Sequence, residues 1–123
     1  MSQVFDYGGW LPSPPYKTYG RLDHIVNPTA TWVLVDEHPD SINDAAFANI
    51  MTDARKAGRS KVVDQPANYH NGAAGFSFSD GHAEIHKWVG SLKQGAAQRI
   101  KLNNSVTAPA SAGDPDIKWI SYR

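Results

Sequence analysis

The chain has 123 residues, a length that suits one domain with a single hydrophobic core. Its 12 basic and 12 acidic residues balance, so no overall field attracts nucleic acid or an anionic membrane surface. It contains no cysteine, which excludes a disulfide framework and thiol chemistry. No apolar run is long enough to span a membrane. We therefore expect one globular domain over residues 1–123.

Residues 1–30 are rich in glycine, proline and tyrosine. Prolines at this density forbid a helix and confine strands to sheet edges. We expect an irregular segment that covers the core with its aromatic side chains. A different interpretation makes Trp10, Tyr16 and Tyr19 a stacking platform for sugars or aromatic substrates.

Residues 31–35, TWVLV, are β-branched and apolar, which predicts a buried strand in the centre of a sheet. The polar stretch 36–44, DEHPDSIND, follows directly and holds four carboxylates and one histidine. Sites are commonly built where a loop leaves a rigid strand. This stretch is therefore a candidate binding segment.

The alanine-rich stretch 42–57 favours a helix that Asp40 or Ser41 would cap and Gly58 would end. A strand over residues 47–51 is the alternative. Residues 61–64, KVVD, indicate a short strand.

Residues 76–88 predict a hairpin. The stretch 76–79 alternates phenylalanine and serine, the period of a strand with one face on a core. Asp80-Gly81 is a strong hairpin signal, typical of a type I′ turn with positive φ at both residues. Residues 82–88 then return as a second strand whose mixed faces suggest neighbours on both sides or an interface.

Three weaker patterns follow. Residues 91–102 predict one or two helical turns, weakened by Gly95. The Ser/Ala/Pro/Gly/Asn-rich stretch 103–115 predicts a mobile loop. Residues 116–122 alternate polar and apolar side chains and indicate a closing strand.

His70, nine intervening residues and Asp80-Gly81 form a pattern that resembles the prepilin-type processing-associated His-x9-Asp-Gly proteins, relatives of type II secretion pseudopilins and type IV pilins. The stretches 36–44 and 66–72 (PANYHNG) also resemble that family, so the likeness covers roughly residues 25–90. It implies an α+β head domain with a small antiparallel sheet of three to five strands, long irregular loops and at most one or two short helices. It also implies an extracellular or periplasmic location. Family members begin with a leader and a long hydrophobic helix, and we find neither pattern here.

Two kinds of chemistry are conceivable in this sequence. A calcium or zinc ion would draw on carboxylates and a histidine, although no EF-hand spacing is present. These candidate ligands are Asp36, Glu37, Asp40, Asp44 and His82, with His70 added for zinc. An ester hydrolase would use His70 as base, Ser77 or Ser79 as nucleophile, and Asp80 or Asp36 to orient the imidazole. No Gly-x-Ser-x-Gly elbow accompanies these residues. We expect His70, the Asp80-Gly81 turn and the acidic stretch 36–44 to lie close together.

Recognition without chemistry is the third possibility. Exposed aromatic side chains would bind a glycan, a polymer or a second copy of the chain. The candidates are Trp10, Tyr16, Tyr69, Trp88 and Trp119. Homodimerisation would cover the sheet face that the family's long helix normally covers. Our leading expectation is a pseudopilin-like structural and binding module of a secretion or pilus system, with an ester hydrolase, acting on bulky or polymeric aromatic esters, as the alternative.

Overall fold

The computed structural model describes residues 1–5, 17–51, 60–93, 108–109 and 113–121. Within these ranges lie six strands, one α-helix and four short 3-10 turns, which confirms a small α+β fold. The strands are β1 (Trp32–Val35), β2 (Asn49–Met51), β3 (Ser60–Val62), β4 (Ala73–Phe78), β5 (Ala83–Lys87) and β6 (Ala108–Pro109). The helix α1 is Pro115–Ser121, and the 3-10 turns are Gln3–Phe5, Leu22–His24, Pro28–Ala30 and Ser91–Lys93.

The principal sheet is antiparallel, with the strand order β1-β4-β5. The strands expected over residues 31–35, 76–79 and 82–88 are thereby confirmed. Strand β4, not β1, is central, so that part of the prediction was wrong. The apolar run of β1 suggested burial on both faces, but Leu34 is 53% exposed because one face of the sheet has no cover among the described residues.

The hairpin of β4 and β5 forms as expected, with a different turn. The amide N of Gly81 donates to the carbonyl O of Phe78 at 3.0 Å, and the amide N of Phe78 donates to the carbonyl O of His82 at 2.9 Å. Gly81 has a φ of +95°, whereas Asp80 does not have a positive φ. This is the geometry of a three-residue hairpin loop with glycine in the left-handed position.

A second antiparallel sheet has the order β2-β3-β6. Strand β3 confirms the strand expected near residues 61–64. The helix expected over 42–57 is wrong for residues 42–51, and the alternative strand over 47–51 is confirmed at Asn49–Met51. Strand β2 pairs with β3 there, and the Asn49 side chain accepts a hydrogen bond from the amide N of Val63 at 2.6 Å. Pairing with a distant strand outweighs the local helix preference of alanine. Residues 52–57 lie outside the described ranges.

The C-terminal residues form α1 rather than the expected strand. Asp114 caps the helix, because its carboxylate accepts from the amide N of Asp116 at 2.9 Å and of Ile117 at 3.2 Å. Pro115 occupies the first turn, where a missing N–H costs nothing. Of the expected loop 103–115, residues 108–109 form β6 and pair with β3. Of the turns expected over 91–102, one 3-10 turn lies in the described part.

The core lies between the covered face of the principal sheet and α1. Trp88 is completely buried, and its indole N–H donates to the carbonyl O of Ala67 at 2.7 Å. Phe76 contacts Trp88 edge-on, with ring centroids 5.9 Å apart. The other core side chains are Trp32, Phe47, Ala67, Ala74, Phe78, Leu92, Ile117 and Ile120. Trp88 is thus a core residue, which corrects its assignment to an exposed recognition surface. Trp10 and Tyr16 lie outside the described ranges.

Candidate functional site

An acidic and aromatic cluster lies at the start of β4. The Nε2 of His70 lies 2.8 Å from one carboxylate oxygen of Asp36, and the Tyr69 hydroxyl donates to the other at 2.9 Å. The Tyr69 and His70 rings lie 4.5 Å apart. Burial of the hydroxyl and its bond to Asp36 raise the pKa of Tyr69. The cluster is half exposed, so solvent reaches the imidazole.

The antiparallel register of β1 and β4 forms this cluster. It places the end of β1 beside the start of β4, so the amide N of Asp36 donates to the carbonyl O of Gly75 at 2.9 Å. Asn71 and Gly72 then turn the chain into β4, with φ values of +55° and +76°. The Asp36 side chain therefore meets the segment that precedes β4, which is the neighbourhood expected for His70 and the acidic stretch.

A second carboxylate–imidazole contact lies in the turn after β4. Asp80 Oδ1 accepts from the amide N of His82 at 3.1 Å and lies 2.6 Å from His82 Nδ1. These bonds lower the pKa of Asp80. The His82 ring stacks on Phe78, with centroids 4.3 Å apart and planes 4° from parallel. Asp80 thus stabilises its own turn.

His70 and Asp80 lie at opposite ends of β4, which corrects the expectation that they lie close together. The nine residues between them include the six residues of β4, which extend over roughly 20 Å at about 3.3 Å per residue. The spacing of the motif is therefore the length of a strand plus its two flanking turns. Asp36 alone among the predicted orienting carboxylates contacts His70.

The predicted serine nucleophiles do not contact His70. The Ser79 hydroxyl donates to the carbonyl O of Pro28 at 3.0 Å. Ser77 lies opposite Leu34 of β1, on the face of the principal sheet that no other described element covers. We call this face the open face. Among the described residues, Asp36 is the hydrogen-bond partner of the His70 ring, and no serine hydroxyl completes a triad.

The predicted metal ligands are similarly dispersed. No three histidine, aspartate or glutamate side chains of the described ranges converge as a metal site. Asp40 lies beside His38, and Asp44 accepts from the amide N of Ala46 at 2.7 Å. His82 belongs to the turn at the far end of β4. Neither the calcium nor the zinc arrangement is assembled.

Sequence reasoning missed the pairing of Glu37, which is partly buried, with Asp64, which is buried. An antiparallel bridge between Glu37 and Pro66 brings the two segments together. Burial, then the neighbouring Asp64 carboxylate, raises the pKa of Glu37 to about 7, which the Ser41 hydroxyl opposes. Burial also raises the pKa of Asp64, whose carboxylate accepts from the amide N of Ala48. Nothing local in the sequence marks this pair, because the two residues are far apart in the chain.

The open face of the principal sheet forms a shallow groove of about 480 Å³. Leu34 and Ile85 border it, and Ile85 is 78% exposed. Gly75 forms part of its floor, with no atom within 4 Å of where a Cβ would lie. Asp36 and Ser77 also line it, so the groove adjoins the Asp36–His70–Tyr69 cluster.

Comparison with known protein families, with curated proteins and with solved structures gives no match for this chain. None of the described helices has the length and apolar character that a membrane crossing requires.

Proposed function

We propose that this chain is a pseudopilin-like structural and binding module of a secretion or pilus system, acting outside the cytoplasm. It engages its partner through the open face of the β1-β4-β5 sheet. The observation that carries the proposal is the apolar groove on that face. Leu34 and Ile85 expose large aliphatic side chains on either side of Gly75, and such a patch is typical of an interaction surface.

The His-x9-Asp-Gly pattern supports a structural role. Its histidine contacts the end of β1 through Asp36, and its Asp-Gly pair forms the hairpin turn. Both parts of the motif therefore hold the ends of the central strand. A sheet held in this way presents a rigid face, which lowers the entropy lost when a partner binds.

The groove suits a helix with an apolar stripe. Glycine at position 75 lets a partner approach the sheet backbone closely. Aliphatic side chains on both sides provide the contact area. A helix packed across a sheet also matches the arrangement that the family resemblance implies.

A photo-crosslinking residue at Leu34 tests this surface in cells that contain the secretion or pilus components. The matched control is Val26, which is highly exposed and does not line the groove. We expect covalent capture of a pilin-like or secretion component from position 34 and not from position 26. Equal capture from both positions, or no such component from either, contradicts the proposal.

An ester hydrolase is the second candidate. Asp36 orients a half-exposed His70 imidazole and lines the same groove as Ser77, which favours it. Turnover of nitrophenyl esters by the wild type, His70→Ala and Ser77→Ala variants separates the two functions. The binding module predicts no turnover above background in any of them. Turnover that both substitutions abolish, in variants that remain folded, would establish the hydrolase instead.

A further inference from the structure

Strand β5 presents backbone groups that no other described residue pairs with. In an antiparallel pair of strands, every second residue pair is joined by backbone hydrogen bonds. Between β4 and β5 these hydrogen-bonded pairs begin at Phe78–His82 and end at Gly72–Trp88. The backbone N–H and C=O groups of Ala83, Ile85 and Lys87 consequently point away from β4. In the part of the chain that the structure describes, β5 is an edge of the sheet.

The opposite edge is different. The amide N of Ser2 donates to the carbonyl O of Val33 at 2.7 Å, so the N-terminal segment lies along β1. Ser2 is itself buried and forms a bridge with Phe47. Natural proteins usually cover or charge an exposed edge to prevent pairing with another chain. Here β1 is covered by the N-terminal segment at Val33, whereas β5 has no such cover among the described residues and carries an exposed isoleucine at its centre, between Glu84 and Lys87.

We propose that β5 is a dimerisation strand, to which β5 of a second copy of this chain adds in antiparallel orientation about a two-fold axis at Ile85. The two principal sheets then form one continuous six-stranded sheet. Ile85 pairs with Ile85 of the partner subunit, and Ala83 pairs with Lys87 of the partner subunit. In each pair, both residues exchange their outward N–H and C=O groups.

The sequence of β5 favours this register. Centring on Ile85 places no like charges opposite each other, since Glu84 lies opposite His86 of the partner subunit and Lys87 lies opposite Ala83 of the partner subunit. Centring on Lys87 would instead place two ammonium groups directly opposite each other, which is destabilising. Centring on Ala83 would pair Ile85 with the turn glycine Gly81, which offers no side chain for contact.

The partner is a second copy because the strand complements itself under two-fold symmetry. The two Ile85 side chains would lie side by side and lengthen the apolar open face. This inference does not rest on the proposed function, since backbone groups at an edge, not the groove, form the contact. The contact is short, so we expect a reversible dimer at high micromolar concentrations.

Sedimentation equilibrium of the wild type, Ile85→Pro and Ile85→Val variants, from micromolar to millimolar concentration, tests the proposal. Proline removes the outward N–H of residue 85 without removing a hydrogen bond to β4, whereas valine keeps that N–H. We expect reversible dimers for the wild type and Ile85→Val, and a monomer for Ile85→Pro with an unchanged far-UV spectrum. A wild type that stays monomeric at millimolar concentration, or an Ile85→Pro variant that still dimerises, overturns it.

A cysteine variant decides the question even where the proline variant does not fold. The chain has no cysteine, so Ile85→Cys introduces a unique thiol. Paired residues at the axis have Cα atoms about 5.5 Å apart, within the range of a disulfide. In the matched control, Leu34→Cys, the two thiols are about 24 Å apart across five strand spacings. Oxidation should cross-link the first variant only, and equal cross-linking of both contradicts the proposal.

Discussion

The two ends of β4 carry the same chemical pair in different structural settings. Asp36 and His70 lie 34 positions apart in sequence, and their contact joins the end of β1 to the segment before β4. Asp80 and His82 lie two positions apart, and their contact holds a single turn. The first pair therefore stabilises tertiary structure and the second stabilises local structure. An imidazole beside a carboxylate is not by itself a sign of catalysis.

The largest expected effect on stability comes from removing a third carboxylate, that of Asp116. Asp116 is completely buried and accepts from the amide N atoms of Val89, Gly90 and Leu92 at 2.8–3.0 Å. We expect Asp116→Ala to lower the free energy of unfolding by about 3 kcal/mol, because one buried and two partly buried N–H groups lose their acceptor. Urea denaturation measures the change.

The control for that substitution is Asp23→Ala. Asp23 is exposed and pairs with Arg21 two positions away, so its removal should cost less than about 0.5 kcal/mol. Similar decreases in the free energy of unfolding for the two variants would contradict the view that sequence separation and burial determine how much a carboxylate contact stabilises the fold.

Glycine substitutions compare the turns at the two ends of β4. Gly72 and Gly81 have φ values of +76° and +95°, so alanine at either position should cost about 1–2 kcal/mol. Gly75 lies between them, has no positive φ and has open space around a Cβ. Gly75→Ala should therefore be neutral or slightly stabilising, as thermal denaturation of the three variants will measure. An equal loss at Gly75 would contradict this account.

Glu37, near the start of β4, and Asp80, in the turn after it, should make stability depend on pH with opposite signs. The pKa of Glu37, next to Asp36, is raised to about 7, so the native state binds the extra proton between about pH 4.5 and 7. Stability from this group is therefore lost as the pH rises through that window. The pKa of Asp80 is lowered, so its contribution is present above the ordinary aspartate pKa and is lost as the pH falls.

Glu37→Gln and Asp80→Asn separate these two contributions. Glu37 is only partly buried, so we expect Glu37→Gln to raise stability by about 1–2 kcal/mol near pH 8 and hardly at all near pH 5. Asp80→Asn should lower stability at neutral pH and have no effect in strong acid. Chemical denaturation at several pH values measures both, and a Glu37→Gln effect that does not vary with pH would contradict the assignment.

Period-2 alternation and Asp80-Gly81 predicted β4 and its hairpin with β5, because β4 has one face on the core. Strand β1 was predicted from its β-branched, apolar residues. For residues 42–51 the preferred helix was wrong, and the alternative strand was right at residues 49–51. The alanines of residues 42–51 favour a helix locally, but a distant strand, β3, pairs with Asn49–Met51. In α1, the alternation of Ile117 and Trp119 suggested a strand, whereas the cap formed by Asp114-Pro115 decides for a helix.

The candidate site was predictable in part. The acidic stretch after β1 and His70 were expected to meet, and Asp36 and His70 do. The Glu37–Asp64 pair and the position of β5 at the edge of the sheet, as far as the described residues show it, were not predictable, because both depend on how distant segments pack. The separation of His70 from Asp80 follows only once β4 is known to lie between them.

A double-mutant cycle of Asp36→Ala and His70→Ala tests the central claim that His70 joins β1 to the segment before β4. The pair is partly exposed and solvent screens it, so we expect a coupling of about 0.5–1 kcal/mol in the free energy of unfolding. A cycle of Asp80→Ala and His82→Ala should give a smaller coupling. Purely additive effects of Asp36→Ala and His70→Ala would contradict the claim.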